Sequence, residues 1–86
     1  MAKLVRKVLP AYPAFAKTAR ISGLVRLMAL IGKDGRVEDL EILSGNPVLA
    51  QAAKTAVRQW VYQPTSIEGT LVEVSAPIDV NFRLDP

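Results

Sequence analysis

The run NPVLAQAAKTAVRQWVYQP, residues 46–64, reads as a helix with one apolar stripe. Leu49, Ala52, Ala53, Ala56, Val57 and Trp60 recur at steps of three and four and share a face, with Gln51, Lys54, Thr55, Arg58 and Gln59 opposite. Asn46 suits the cap, because its side-chain oxygen accepts from the first free amides. Pro47 suits the next position, where its missing N–H would have no partner. Pro64 disfavours helical geometry at Gln63 and sets the far limit. Three alanines on the stripe let the helix lie close to whatever it covers, and Trp60 is its one large anchor. Such a stripe needs an apolar face to bury against.

Three extended runs supply that face. Residues 24–31 are apolar except for Arg26, with Leu24, Met28 and Leu30 on one side and Val25, Leu27, Ala29 and Ile31 on the other. Apolar residues on both sides predict a central strand. Gly32-Lys33-Asp34-Gly35 reads as a turn, Asp-Gly being the hairpin signal. Residues 37–43 return, with Leu40 and Ile42 beside Glu38 on one face, and Val37, Asp39, Glu41 and Leu43 on the other. Residues 65–70 read as a loop. Residues 71–84 then alternate cleanly: Val72, Val74, Ala76, Ile78, Val80, Phe82 and Leu84 face one way, with Glu73, Ser75, Pro77, Asp79, Asn81 and Arg83 opposite. Pro77 cannot donate to a ladder, so this strand belongs at an edge.

Upstream, Pro10 and Pro13 hold Ala11-Tyr12 extended, and a short helix is expected over 13–20 with Phe15, Ala16 and Ala19 inward. Ser22-Gly23 ends it. Residues 1–9, with Lys3, Arg6 and Lys7 among apolar residues, read as a mobile or partly docked arm. The expected architecture is α+β. Residues 10–86 form one domain of order α-β-β-α-β, with a three-stranded antiparallel sheet and two helices packed on one face.

Composition narrows the function. The 86 residues make one small domain, and half apolar with 22% charged is the balance of a folded chain. The absence of cysteine excludes disulfides and thiolate metal sites, and the absence of histidine excludes the commonest base and metal ligand and any histidine-based triad. Glu38, Asp39 and Glu41 alternate along a strand and do not converge on one atom. No phosphate-cradling loop is present. The longest apolar run, 27–31, is a strand's length rather than a membrane span, and no signal peptide is legible. Net charge is +3 and scattered. A nucleic-acid module would show stacking aromatics on its sheet or a basic stripe, whereas Tyr12, Phe15, Trp60, Tyr62 and Phe82 mostly suit the core. No catalytic residue, cofactor, metal or nucleic acid is expected; an interaction domain is.

The local words in their order carry a resemblance: Tyr12-Pro13, Gly23-Leu24-Val25, Asp34-Gly35-Arg36-Val37, Ile42-Leu43-Ser44, the alanine-rich helix ending Arg58-Gln59-Trp60-Val61-Tyr62-Gln63-Pro64, Gly69, and Ile78-Asp79-Val80-Asn81-Phe82. From about residue 10 to 84 the chain resembles the TonB C-terminal domain family. That resemblance implies a periplasmic domain excised from an inner-membrane-anchored energy transducer. The parent protein would couple a proton-driven inner-membrane motor to outer-membrane receptors that import siderophores or cobalamin. It implies that an extended receptor peptide, the TonB box, is captured as an added strand. The implied contacts are Ile78, Asp79, Val80, Asn81, Phe82, Arg83 and Leu84 on the last strand, with Leu9, Pro10, Ala11 and Tyr12 before the first helix. The chain departs from the family at Leu9, where a polar glutamine is expected. Strand exchange between two copies gives a weak homodimer as a further expectation. A TolA-like or sensor-fused envelope domain is the alternative within the same fold.

Overall fold

The computed structural model describes residues 3–84. Strand β2 (Gly23–Ile31) is the spine of the sheet: it pairs antiparallel with β3 (Val37–Ser44) on one side and with β7 (Val74–Phe82) on the other, giving the order β3-β2-β7. Its central place follows the expectation, but only one of its faces is deeply covered. Val25, Leu27, Ala29 and Ile31 are buried, while Leu24 is exposed and Met28 and Leu30 are half-buried. The helices lie on one face only, so the second apolar row rests on its sheet neighbours; Met28, for instance, lies between Glu41 and Pro77.

Helix α2 (Pro47–Val57) covers the inner face with Leu49, Ala50, Ala53, Ala56 and Val57. Asn46 caps it as expected, its side-chain oxygen accepting from the Val48 N–H at 2.9 Å. The helix stops short of the expected end. Gln59 and Trp60 donate their N–H groups to Ala56 and Val57 in a tightening exit turn, and Val61–Tyr62 is a strand, β4. A competing set of partners pulls these residues out of the helix. The Tyr62 N–H donates to the Gly35 carbonyl at 2.7 Å, and β4 pairs with β1 (Leu4–Arg6). Gly35 is therefore more than a turn residue. Its φ is +86°, and a Cβ there would sit 1.9 Å from the Tyr62 carbonyl oxygen, so only glycine permits the approach.

Two bulges correct the reading of β3. Leu30 pairs with Asp39 but Ile31 with Val37, leaving Glu38 as the extra residue; Arg26 pairs with Ser44 but Leu27 with Ile42, leaving Leu43 extra. The first bulge turns Val37 onto the inner face, where it packs against the core, rather than outward with Asp39. The expected loop 65–70 is a small hairpin of β5 (Thr65–Ile67) and β6 (Thr70–Val72), its tip formed by Glu68 and Gly69 with φ of 51° and 82°. The long final strand is accordingly interrupted at Glu73, and β7 begins at Val74.

The first helix, α1 (Ala14–Thr18), is only five residues long, and Ala16 alone is buried; Phe15 and Ala19 point outward, against expectation. So short a helix presents little more than one inward position. Its end is a Schellman turn: the Ile21 N–H donates to Ala16 and the Arg20 N–H to Lys17, with Arg20 in the left-handed region at φ 55°.

Candidate strand-docking edge

The sheet has two rims, and they differ. β7 has β2 as its one neighbour among the described residues, and the two strands pair without a break from Gly23–Phe82 to Ile31–Val74. The other side of β7 carries backbone donors and acceptors with no strand beside them. Pro77 fits this ladder with its nitrogen turned away from β2. Alternation then turns the N–H groups of Asp79 and Asn81 toward the same open side. At the opposite rim, β3 is bulged twice and bears Glu38, Asp39 and Glu41.

The expected site residues divide by position. Ile78, Val80 and Phe82 anchor β7 in the core; Asp79, Asn81 and Arg83 are exposed, and Leu84 lies half-buried just past the strand. Asp79 lies 3.6 Å from Arg26 in an exposed ion pair, which at such a surface contributes little stability. Tyr12 packs edge-on against Phe82, ring centroids 5.5 Å apart, and its hydroxyl donates to the Ile21 carbonyl. These contacts tie the arm to the end of β7.

The arm is docked. β1 pairs with β4, the Gln63 N–H donates to the Lys3 carbonyl at 2.7 Å, and the Trp60 indole Nε1–H donates to the Val8 carbonyl at 2.8 Å. Leu9 and Pro10 are thereby brought to β7: with Lys7 and Trp60 they line a cleft of about 140 Å³ whose other wall is Asp79, Val80 and Asn81. Leu9 is 77% exposed above it. Ala11 instead lines a larger apolar groove of about 500 Å³ between the arm and α2, floored by Val48, Ala52 and Ala56. The two stretches expected to bind together do meet, at Leu9-Pro10 and Asp79–Asn81. Sequence reasoning missed Lys7, whose ammonium lies 5.8 Å from the Trp60 ring centroid, and assigned Trp60 to packing alone. The available signal was chemical: a buried indole N–H requires an acceptor.

The remaining polar chemistry lies elsewhere. Glu38 holds its proton above the usual carboxylate range, chiefly through a hydrogen bond shared with Glu73, then through desolvation and the charges of Glu73 and Asp34, with Lys33 opposing. Burial pushes the Tyr62 hydroxyl up. Among the described residues, no group of three or more Asp, Glu, His or Cys is placed to hold a metal ion, and no helix is long and apolar enough to cross a membrane.

Residues 8–84 match the model of the family described as Gram-negative bacterial TonB protein C-terminal. The chain is 40% identical over 85 residues to Protein TonB of Klebsiella pneumoniae, an alignment covering 96% of this chain and 33% of that protein. It is 27% identical over 78 residues to Protein TonB of Pseudomonas aeruginosa, covering 88% and 23%. It thus spans about a third or less of these curated relatives. The solution NMR structure of the Pseudomonas aeruginosa TonB CTD superposes with a TM-score of 0.81 at 26% identity, over 99% of this chain and 88% of that one.

Proposed function

The chain belongs to the family of Gram-negative bacterial TonB protein C-terminal domains, and from that premise we propose that it captures an outer-membrane receptor's TonB box as an extra strand on β7. The family is one of non-enzymatic interaction domains in energy transduction. The observation that carries the reading is the unpartnered rim of β7 in the order β3-β2-β7. Main-chain bonds to that rim supply affinity, while the cleft at Leu9-Pro10 supplies side-chain selection. The contacts are Leu9, Pro10, Ala11 and Tyr12 on the arm and residues 78–84 on β7 and just past it. The domain acts in the periplasm. Segments of the parent protein outside this chain would connect it to the inner-membrane, proton-driven motor, and the cargo would be a siderophore or cobalamin.

The sheet's outer face argues against nucleic acid. Leu24, Met28 and Leu30 occupy its centre, with no aromatic ring on which a base could stack. A second copy is the competing occupant of the rim, giving a weak strand-exchanged dimer at millimolar protein, which sedimentation would detect.

The test is a titration of the ¹⁵N-labelled domain with a synthetic TonB box heptapeptide. The amides of 78–84 should shift or broaden first. Shifts confined to α1 and α2 would refute strand addition.

A further inference from the structure

Between its two fastenings the arm is held by one hydrogen bond, beside a half-buried Val8 side chain that packs against the core. Upstream, β1 is paired to β4; downstream, Tyr12 is bonded to Ile21 and packed edge-on against Phe82. Of the protein hydrogen bonds involving residues 7–11, the one present among the described residues runs from the Trp60 Nε1–H to the Val8 carbonyl. Leu9 and Ala11 are exposed, and Pro10 has no N–H to give. A segment with so few hydrogen bonds opens readily unless pinned. Yet this segment is one of the two walls of the cleft over Asp79–Asn81. Trp60 reaches both features, since it lines the cleft and donates to the pin.

We propose that Trp60 is a positioning residue for peptide capture: its indole N–H, by holding the Val8 carbonyl, fixes residues 7–10 as the second wall of the β7 cleft. This rests on the strand-addition reading. A bare edge takes an extended peptide on backbone bonds alone. A pinned arm adds a wall that touches the peptide's side chain opposite Asp79–Asn81, and its ordering is complete before the peptide arrives. Linkage then makes the effect reciprocal. If the pin strengthens binding by a given factor, bound peptide strengthens the pin by the same factor.

The experiment repeats the TonB box heptapeptide titration with Trp60→Phe, which keeps an aromatic ring and removes the donor. Affinity should fall about threefold to tenfold, the effect of one lost hydrogen bond. The β7 amides should still shift, while the peptide-induced shifts at Lys7 and Leu9 should disappear. In the wild type, hydrogen exchange at the Trp60 indole should slow on peptide binding by the factor that Trp60→Phe loses; a side chain that merely packs would show no such slowing. Should Trp60→Phe fold poorly, β-(3-benzothienyl)alanine at 60, which matches tryptophan in shape and lacks the N–H, replaces it. Wild-type affinity in either folded variant, or indole exchange indifferent to peptide, overturns the pin and leaves strand addition standing. A wild-type titration that moves no β7 amide overturns strand addition, and the pin with it.

Discussion

The two rims of one sheet have been given opposite treatments. β3 and β7 both flank β2 and are nearly equal in length, eight residues and nine. β3 is broken by bulges at Glu38 and Leu43 and carries three carboxylates. Each device is a known way of refusing a neighbouring strand. β7 pairs with β2 through nine consecutive partners and turns a regular backbone outward. Its one interruption, Pro77, precedes the stretch that meets the arm. The regular rim of β7 is the one open to extension, and the contrast with β3 is built into the backbone before any partner is considered.

The sharpest way to strain this contrast is to weaken what the rims share. Leu27 is fully buried at the middle of β2, opposite Ile42 on one side and Ile78 on the other. Leu27→Ala should cost about 2–5 kcal/mol of stability, measured by urea denaturation. Amide exchange should accelerate in β3 and β7 together. Acceleration in β7 alone would mean that the two rims do not depend on a common spine. A more selective variant is Asn81→Pro. It removes an N–H directed to the open side and leaves the β2 ladder intact. Peptide affinity should fall about tenfold or more, one backbone bond plus the clash of the ring. The melting temperature should change little. Unaltered affinity by calorimetry would put the peptide elsewhere.

What the sequence made legible was whatever a local period encodes. The cap at Asn46, the central place of β2, the 32–35 turn and the rim position of the last strand follow from spacing and from Pro77. What escaped was settled by partners far away in the chain. Helix α2 ends early because Gly35 and the arm claim the backbone of Val61 and Tyr62. Val37 turns inward because a bulge, invisible to strict alternation, resets the register. The arm is docked because the Trp60 indole donates to a carbonyl 52 residues away in the chain. For the site, the sequence and its family resemblance supplied Leu9, Pro10 and 79–81, which the fold brings together. It did not supply Lys7 or Trp60, whose proximity to β7 is a tertiary product.

A control should leave both rims untouched. Arg20 adopts a left-handed conformation that costs a side-chain-bearing residue about 1–2 kcal/mol. Arg20→Gly should recover part of this, about 0.5–1 kcal/mol after the added freedom of the unfolded chain is subtracted. Thermal melts should register the gain while the peptide titration is unmoved. A change in affinity would mean that the α1 turn reaches the β7 cleft through Tyr12 and Ile21.

The smallest effect belongs to the closed rim itself. Glu38, the residue extruded by the first bulge, has its pKa raised above the usual carboxylate value in the folded chain, chiefly by the neighbouring Glu73 carboxyl. The sign follows from that direction. A raised folded-state pKa stabilises the fold below the unfolded value, and this contribution is lost as pH rises through the folded value. At neutral pH the two carboxylates repel across an exposed surface, where solvent screens most of the interaction. Glu38→Gln keeps a donor toward Glu73 at every pH. It should therefore raise the melting temperature slightly at pH 7, and the difference should vanish below about pH 4. A constant difference across that range would detach the Glu38–Glu73 contact from protonation. Added peptide should still shift β7 alone, because removing one charge leaves both bulges in β3 and its backbone remains unfit for a neighbour.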